Sequence, residues 1–117
     1  MWLILVLIIL DQTTKYFLTT ITNTGAAFGI LKGYNIPLLI INLIALVVCI
    51  FYYTKEKKLR LPLIFLISGI IGNLIDRIFL GYVRDFINLK FWPVFNLADS
   101  FNVIGIILLI YLLWKKS

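Results

Sequence analysis

The stretch GNLIDRIFLGYVRDFI, residues 72–87, decides the fold because it sets charged and amide side chains inside an otherwise apolar chain. The 117 residues are 62% hydrophobic, with a mean hydropathy of +1.06 and only five acidic side chains. Apolar runs of this length exceed what the core of a small soluble domain needs and are typical of a membrane protein. Ionisable groups buried in such a protein are costly, so this stretch calls for a specific explanation.

Composition excludes several kinds of chemistry. There is no histidine and one cysteine, Cys49, so neither an intrachain disulfide nor a Cys/His zinc site is possible. The net charge of +6 comes largely from KEKKLR at 55–60 and KKS at 115–117, which border apolar spans. This distribution is typical of membrane topology and does not resemble a nucleic-acid footprint, so no nucleic acid is expected as a partner.

Four apolar segments are long enough for membrane-spanning helices of about 20 residues. The predicted helices run from about Trp2 to Thr19, from Ile36 to Tyr53, from Leu61 to Leu80, and from near Asn96 to near Trp114. The first lacks a basic leader and a small-residue cleavage site, so we expect it to be a mature helix. No repeat or linker interrupts residues 1–117, which predicts one all-α domain, an up-and-down bundle of four transmembrane helices.

Two further features refine this bundle. Ser68, Gly69 and Gly72 have the small-residue spacing that lets helices approach closely. Turn-forming residues at 22–35 predict a loop with a short extended segment. The basic residues at 55–60 predict that both termini are cytoplasmic and that the loops at 21–35 and 81–95 face outward.

The polar residues of the first and third helices have helical spacing. Asn73, Asp76 and Arg77 share one sector of the third helix, which favours a buried ion pair or hydrogen-bonded cluster. Asp11 and Lys15 form an i,i+4 pair with the acid first, which is the favourable order. An alternative is that Lys15 extends to the outer headgroups, accompanied by Asp11.

The remaining two acids flank the loop before the fourth helix. FNLADS at 95–100 predicts a helix start, with Asn96 as N-cap and Asp99 at the third helical position, where an acid is commonly just a charged cap. Asp85 lies in an outer loop or strand, where a lone acid is usually solvated. Brought together, two carboxylates can share one proton, so that one polarises a peptide carbonyl while the other activates water. The helix N-terminus would favour ionisation of Asp99, leaving Asp85 to hold the proton.

Four segments in order resemble the lipoprotein signal peptidases, the signal peptidase II family. They are DQTTKYF at 11–17, NTGAAFGIL at 23–31, GNLIDRIFLGYVRDFI at 72–87 and FNLADS at 95–100. The resemblance implies an inner-membrane aspartyl endopeptidase that cuts a prolipoprotein just before a cysteine carrying a diacylglyceryl group. It also implies that no metal or cofactor takes part, and that the outer segment includes a small β-like cradle.

The resemblance assigns roles residue by residue. It implies that Asp85 and Asp99 are the catalytic pair and that Asp76 is a structural partner. The residues implied to line the site and hold backbone are Asn73, Arg77 and Asn96, while those implied to support the cleft are Asp11, Lys15, Asn23 and Gly25. An apolar rim is expected from Phe28, Phe86 and Trp92, which interfacial anchoring explains equally well.

The chain departs from the family pattern in its shortened outer segments, which include the link from Asp85 to FNLADS, and at Arg84. Only seven residues separate DQTTK from NTGAAFG, so we expect a reduced outer cradle. Arg84 stands where the family usually has an apolar residue, and beside the pair it would favour an ionised Asp85, against the proton assignment above.

Two other functions are compatible with intramembrane charges. One is a small transporter or proton relay, which would need polar residues along the whole membrane depth. The second and fourth helices are almost wholly apolar in their cytoplasmic halves, which argues against it. The other is a scaffold whose polar cluster only fixes helix pairing.

Overall fold

The computed structural model describes residues 2–19, 21–23 and 33–116, which contain four α-helices and two short strands. The helices agree with the predicted apolar segments to within a few residues. In chain order the elements are α1 (Trp2–Leu18), β1 (Ile21–Asn23), α2 (Asn35–Lys55), α3 (Arg60–Phe79), β2 (Val83–Asp85) and α4 (Leu97–Lys116). A single 3₁₀ turn, Lys57–Leu59, leads into α3.

Three of the helical segments are long and apolar enough to cross a membrane. They are Asn35–Lys55, Lys57–Phe79 and Leu97–Lys115, with mean hydropathies of 2.5, 1.7 and 2.0. Helix α1 has 17 residues and carries Asp11 and Lys15. At 1.5 Å per residue it is about 26 Å long, slightly less than the hydrocarbon thickness. The prediction of a helical membrane protein is therefore confirmed.

Helix α3 is the central element and packs against the other three helices. Its small residues allow this, as their spacing predicted. A Cβ atom built on Gly69 would lie 2.5 Å from the Ala98 carbonyl oxygen, and one on Gly72 would lie 2.5 Å from the Asp11 Oδ2 atom. Gly105 makes a similar close approach from α4, where its Cβ would lie 2.8 Å from the Pro62 carbonyl oxygen. These contacts set α4 antiparallel to α3.

The interior changes character along the bundle. At one end the core is apolar and centres on Leu63, Leu66 and Ile67, with part of α2 packed against it. At the other end α1, α3 and α4 bury a cluster of polar and charged side chains, beside Leu74, Ala98 and Phe101. Leu38 is the buried residue of α2, whose remaining side chains are half-buried or exposed. The chemistry of the molecule is thus concentrated at one end of three helices.

A two-stranded antiparallel sheet lies at the polar end. Strand β1 pairs with β2 so that Ile21 is opposite Asp85 and Asn23 is opposite Val83. An isolated bridge between Ile87 and Phe95 then closes the loop that follows. Because this bridge ends immediately before Asn96, it brings the end of β2 beside the start of α4.

Candidate active site

The first turn of α4 is held by reciprocal hydrogen bonds between Asn96 and Asp99. The Asp99 backbone N–H donates to the Asn96 side-chain oxygen at 2.8 Å, and the Asn96 N–H donates to the Asp99 carboxylate at 3.2 Å. This is the geometry of a capping box, in which each residue satisfies a free N–H at the helix start. The predicted N-cap is confirmed, and it fixes the Asp99 carboxylate at the mouth of the helix.

Asn96 also joins this turn to Asp85. Its side-chain N–H₂ donates to the Asp85 Oδ1 atom at 2.9 Å, and it lies 3.1 Å from the Asn73 side-chain oxygen and 3.2 Å from the Arg84 carbonyl oxygen. Asn73 in turn donates to the Asp99 Oδ1 atom at 3.0 Å. The two carboxylates are therefore held at one place, Asp85 by Asn96 and Asp99 by both asparagines. Their exposed fractions are 2% and 1%.

Arg77 supplies the positive charge next to the two acids. It is 4% exposed on α3, and both Asp99 and Asp85 interact electrostatically with its guanidinium. The third helix therefore points Asn73, Asp76 and Arg77 into the bundle together, as their spacing predicted. A cation beside two carboxylates stabilises negative charge between them.

The Asp11–Lys15 pair lies behind the two acids and is fully buried. The Lys15 ammonium lies 2.8 Å from the Asp11 carboxylate and donates to the Gly72 carbonyl oxygen and the Asn73 side-chain oxygen, each at 3.1 Å. Asp11 accepts from the Ala98 backbone N–H at 2.9 Å. The alternative in which Lys15 extends to the headgroups is wrong, because α3 provides acceptors for the ammonium inside the bundle.

Asp76 connects α3 to strand β2. It accepts hydrogen bonds from the Arg84 backbone N–H at 3.0 Å, from Arg84 Nε at 3.2 Å and from Arg84 Nη2 at 2.9 Å. The Lys15 ammonium lies 3.4 Å from the Oδ2 atom of the same carboxylate. These contacts, together with complete burial, make Asp76 the anchor of β2.

The structure resolves the direction of Arg84, which the sequence placed beside the two acids. Its guanidinium lies on Asp76 and on the Gln12 side-chain oxygen, which accepts at 2.8 Å, and the hydrogen bonds with Asp76 raise the pKa of Arg84. Successive side chains of a strand point to opposite faces, so Arg84 and Asp85 are directed apart. The expectation that Arg84 acts directly on Asp85 finds no support in these contacts.

Gln12 is a site residue that sequence reasoning missed. Its side-chain N–H₂ donates to the Gly72 carbonyl oxygen at 3.0 Å and lies 3.2 Å from both the Asp11 and the Asp76 carboxylates. A signal was present, because Gln12 lies three residues before Lys15 and such residues are neighbours on a helix.

Other predicted residues are placed only in part. Asn23 belongs to β1 through its backbone, while Gly25 and Phe28 lie outside the described residues. Trp92 is half-exposed and lines an apolar groove of about 380 Å³ beside the start of α4. The groove also includes Leu89, Phe95, Val103 and Ile104, whereas Phe86 is not among its lining residues.

Within the described ranges, no group of three His, Cys, Asp or Glu side chains is arranged to hold a metal ion. What the residues at this end can do chemically depends on carboxylates, amides and three cations. The fold and the site together define a helical membrane protein with a buried pair of aspartates at one end of its bundle.

Comparison with known proteins identifies the family of this membrane protein. The sequence model described as signal peptidase (SPase) II matches residues 17–115. The chain belongs to the signal peptidase II family.

Relatives in this family cover most of the chain. The lipoprotein signal peptidase of Halothermothrix orenii is 38% identical, over 97% of this chain and 94% of its own length. The lipoprotein signal peptidase of Caldanaerobacter subterraneus is 40% identical, over 94% of this chain and 92% of its own length. A bacterial membrane enzyme solved by the in meso method superposes with a TM-score of 0.87 at 32% identity, over 97% of this chain and 86% of that one.

Proposed function

We propose that Asp85 and Asp99 are the catalytic pair of a membrane aspartic endopeptidase. The family assignment supports the activity itself, which is the removal of signal peptides from prolipoproteins. The observation that carries the choice of residues is the position of Asn96. Its side-chain N–H₂ donates to the Asp85 carboxylate at 2.9 Å, while its backbone N–H donates to the Asp99 carboxylate at 3.2 Å. Two carboxylates held by one residue form a pair that can act on the same peptide bond.

The proposed reaction follows from the chemistry of such a pair. The ionised carboxylate takes a proton from a water molecule, which attacks the scissile carbonyl carbon. The protonated carboxylic acid donates its proton to the carbonyl oxygen, so a neutral tetrahedral intermediate forms. Collapse of the intermediate breaks the C–N bond, and the amine leaves with a proton returned by the acid that received it from water. The other carboxylate takes a proton from a hydroxyl group of the intermediate, so the new carboxylic acid forms and the starting protonation of the pair is restored. The helix N-terminus favours ionised Asp99, which gives Asp85 the proton at the start.

Charge balance supports one shared proton. Four buried carboxylates at this end face three cations, so the described cluster has a net charge of −1 when every group is ionised. One proton on the pair brings it to zero, and a neutral cluster costs far less to bury. The pair titrates as a unit, with two apparent pKa values. The residues counted are Asp11, Asp76, Asp85 and Asp99 against Lys15, Arg77 and Arg84.

The remaining site residues have supporting roles in this proposal. Asn73 and Asn96 orient the carboxylates, and Arg77 holds the backbone of the substrate and stabilises negative charge. Asp11 and Lys15 brace α1 against α3. By the family resemblance, Asn23 and Gly25 form the outer lip, and no metal or cofactor takes part.

The proposed substrate is a prolipoprotein whose cysteine already carries a diacylglyceryl group, cut just before that cysteine. Such a substrate presents acyl chains to the bilayer and its scissile bond to water, and a site near the interface offers both. The apolar groove beside α4, which includes Trp92 and Phe95, lies next to the pair because Phe95 bridges to Ile87 two residues beyond Asp85. Its chemistry suits an apolar part of the substrate.

The proposed topology follows from the basic residues at 55–60. All four helices cross the bacterial inner membrane as one domain over residues 1–117, with both termini cytoplasmic. The pair then lies near the outer face, where β1 and β2 form part of a small cradle.

A transporter is disfavoured because the buried charged groups gather at one end, whereas Leu63, Leu66 and Ile67 fill the other.

The test is cleavage of a diacylglyceryl-modified prolipoprotein by the purified protein. Asp85→Asn and Asp99→Asn keep the shape of each side chain and remove its acid–base function, so turnover falls at least about a hundredfold. Glu56→Gln is the matched control, since Glu56 is the fifth acid and lies at the opposite end of the bundle.

Unfolding midpoints in an SDS titration separate catalysis from folding. The proposal expects both Asp→Asn variants to unfold near the parent midpoint and to lose activity, with a two-limbed pH profile for the parent. Parental turnover in either variant refutes the pair. If the protein were only a scaffold, the parent would cleave no substrate, and the Asp→Asn variants would unfold at a lower SDS concentration than the parent.

A further inference from the structure

A second site lies at the end of the bundle opposite the two acids. A groove of about 520 Å³ runs between the end of α2, the 3₁₀ turn and the end of α4. Its lining combines charged and apolar side chains. They include Tyr52, Lys58, Leu59, Leu113 and Lys115.

An apolar slot of about 390 Å³ adjoins this groove on the side of the bundle interior. Tyr52, Leu59 and Leu113 line both cavities, so the two lie side by side and together form a compartment. Cys49 and Leu66 line the deeper part, where the wall is almost entirely apolar. The compartment therefore has a charged mouth and a hydrocarbon interior, which is the pattern of an amphiphile with a charged head and a long apolar chain.

The charges at the mouth select the sign of the head group. Lys58 and Lys115 line it, with Glu56 as the acid among the lining residues, so the mouth has a net charge of +1. Two nearby cations lie over aromatic rings outside this lining. The Lys55 ammonium is 5.4 Å from the centre of the Phe51 ring, and the Arg60 guanidinium is 5.0 Å from that of Tyr53.

We propose that this compartment binds an anionic phospholipid, with the phosphate between Lys58 and Lys115 and one acyl chain in the slot beside Cys49. Basic residues at a membrane surface attract anionic lipid, and the apolar slot gains by burying a hydrocarbon chain. The inference does not depend on the peptidase activity, because none of these residues belongs to the cluster around Asp85 and Asp99.

Native mass spectrometry tests head-group selection. The detergent-purified protein is mixed with equal amounts of phosphatidylglycerol and phosphatidylcholine carrying identical acyl chains. We expect the protein to retain one phosphatidylglycerol molecule, with a roughly fivefold preference over phosphatidylcholine, because the mouth has one net positive charge. Lys58→Gln with Lys115→Gln abolishes the preference, while the control pair Lys55→Gln with Lys57→Gln removes as much charge and keeps it. Equal retention of both lipids by the parent, or equal loss in both double variants, overturns the proposal.

Cys49, the single cysteine of the chain, reports on the slot. Phosphatidylglycerol slows alkylation of Cys49 by an uncharged maleimide in detergent, and phosphatidylcholine at the same concentration slows it less. Free glycerol phosphate leaves the rate unchanged, because the head group alone does not enter the slot. If alkylation is unaffected by phosphatidylglycerol, or is slowed as strongly by glycerol phosphate, the lipid does not occupy this compartment.

Discussion

Replacing Arg84 by methionine tests whether the contact between β2 and α3 holds the strand that carries Asp85. The substitution keeps an unbranched apolar stem and removes the guanidinium, which is 19% exposed as a side chain. Three side-chain hydrogen bonds disappear, two to Asp76 and one to Gln12. The backbone N–H of residue 84 still donates to Asp76.

The expected loss of stability depends on the partners that Asp76 retains in the variant. Removing one partner of a buried ion pair costs about 3–5 kcal/mol when the other charge is left uncompensated. Here Lys15 still lies 3.4 Å from the Asp76 carboxylate and Gln12 lies 3.2 Å from it, so compensation is partial. The partial exposure of Arg84 reduces the loss further. We therefore expect a loss of about 2–3 kcal/mol in the free energy of unfolding, below the full cost of a broken buried pair.

The assay is an SDS titration of the purified protein followed by far-UV circular dichroism, with Arg60→Met as the matched control. Arg60 contacts the Tyr53 ring and donates to the Tyr53 carbonyl oxygen at 3.1 Å, and its loss is expected to cost about 1 kcal/mol. Arg84→Met also lowers kcat, because β2 positions Asp85, whereas Arg60→Met leaves it unchanged. If Arg84→Met costs no more than Arg60→Met and leaves kcat at the parental value, Arg84 does not hold the strand.

Two further substitutions probe the packing around α3. Gly105→Ala sets a Cβ 2.8 Å from the Pro62 carbonyl oxygen and 3.0 Å from the Leu66 nitrogen, both backbone atoms, and we expect a loss of about 1–3 kcal/mol in the SDS titration. An unchanged midpoint would show that α3 and α4 have room to separate. Lys15→Met leaves Asp11 with no cation within ion-pair distance among the described residues, and we expect a loss of about 3–5 kcal/mol. An unchanged midpoint would refute this expectation, because it would mean that Asp11 does not need the Lys15 cation.

Features set by local sequence were predictable. The helices follow from apolar runs of sufficient length, and the start of α4 follows from FNLADS, since a capping box needs only residues three apart. The pairing of Asp11 with Lys15 follows from i,i+4 spacing in the same way. The pairing of Asp85 with Asp99 was expected from the family resemblance.

Features that depend on how separate elements meet were not predictable from the same patterns. Whether Lys15 stays inside was decided by the Gly72 and Asn73 oxygens of α3, which no spacing within α1 reveals. Arg84 was expected beside the acids because it precedes Asp85 in sequence, but the strand turns it toward Asp76 and Gln12. Gly105 lies in an apolar run that gives no sign of which helix approaches it.

The ion pairs at the charged end of the bundle limit which segments homologues can exchange. Lys15 on α1 contacts Asp76 on α3, and Asp76 contacts Arg84 on β2, so ion pairs connect the three elements. A chimera that takes α1 from one homologue and α3 from another brings mismatched ions together unless both parents share the set. Compensating substitutions should therefore appear in pairs along this path. Recombination breakpoints should be tolerated best within α2, which takes no part in these ion pairs and whose one fully buried residue among those described is Leu38.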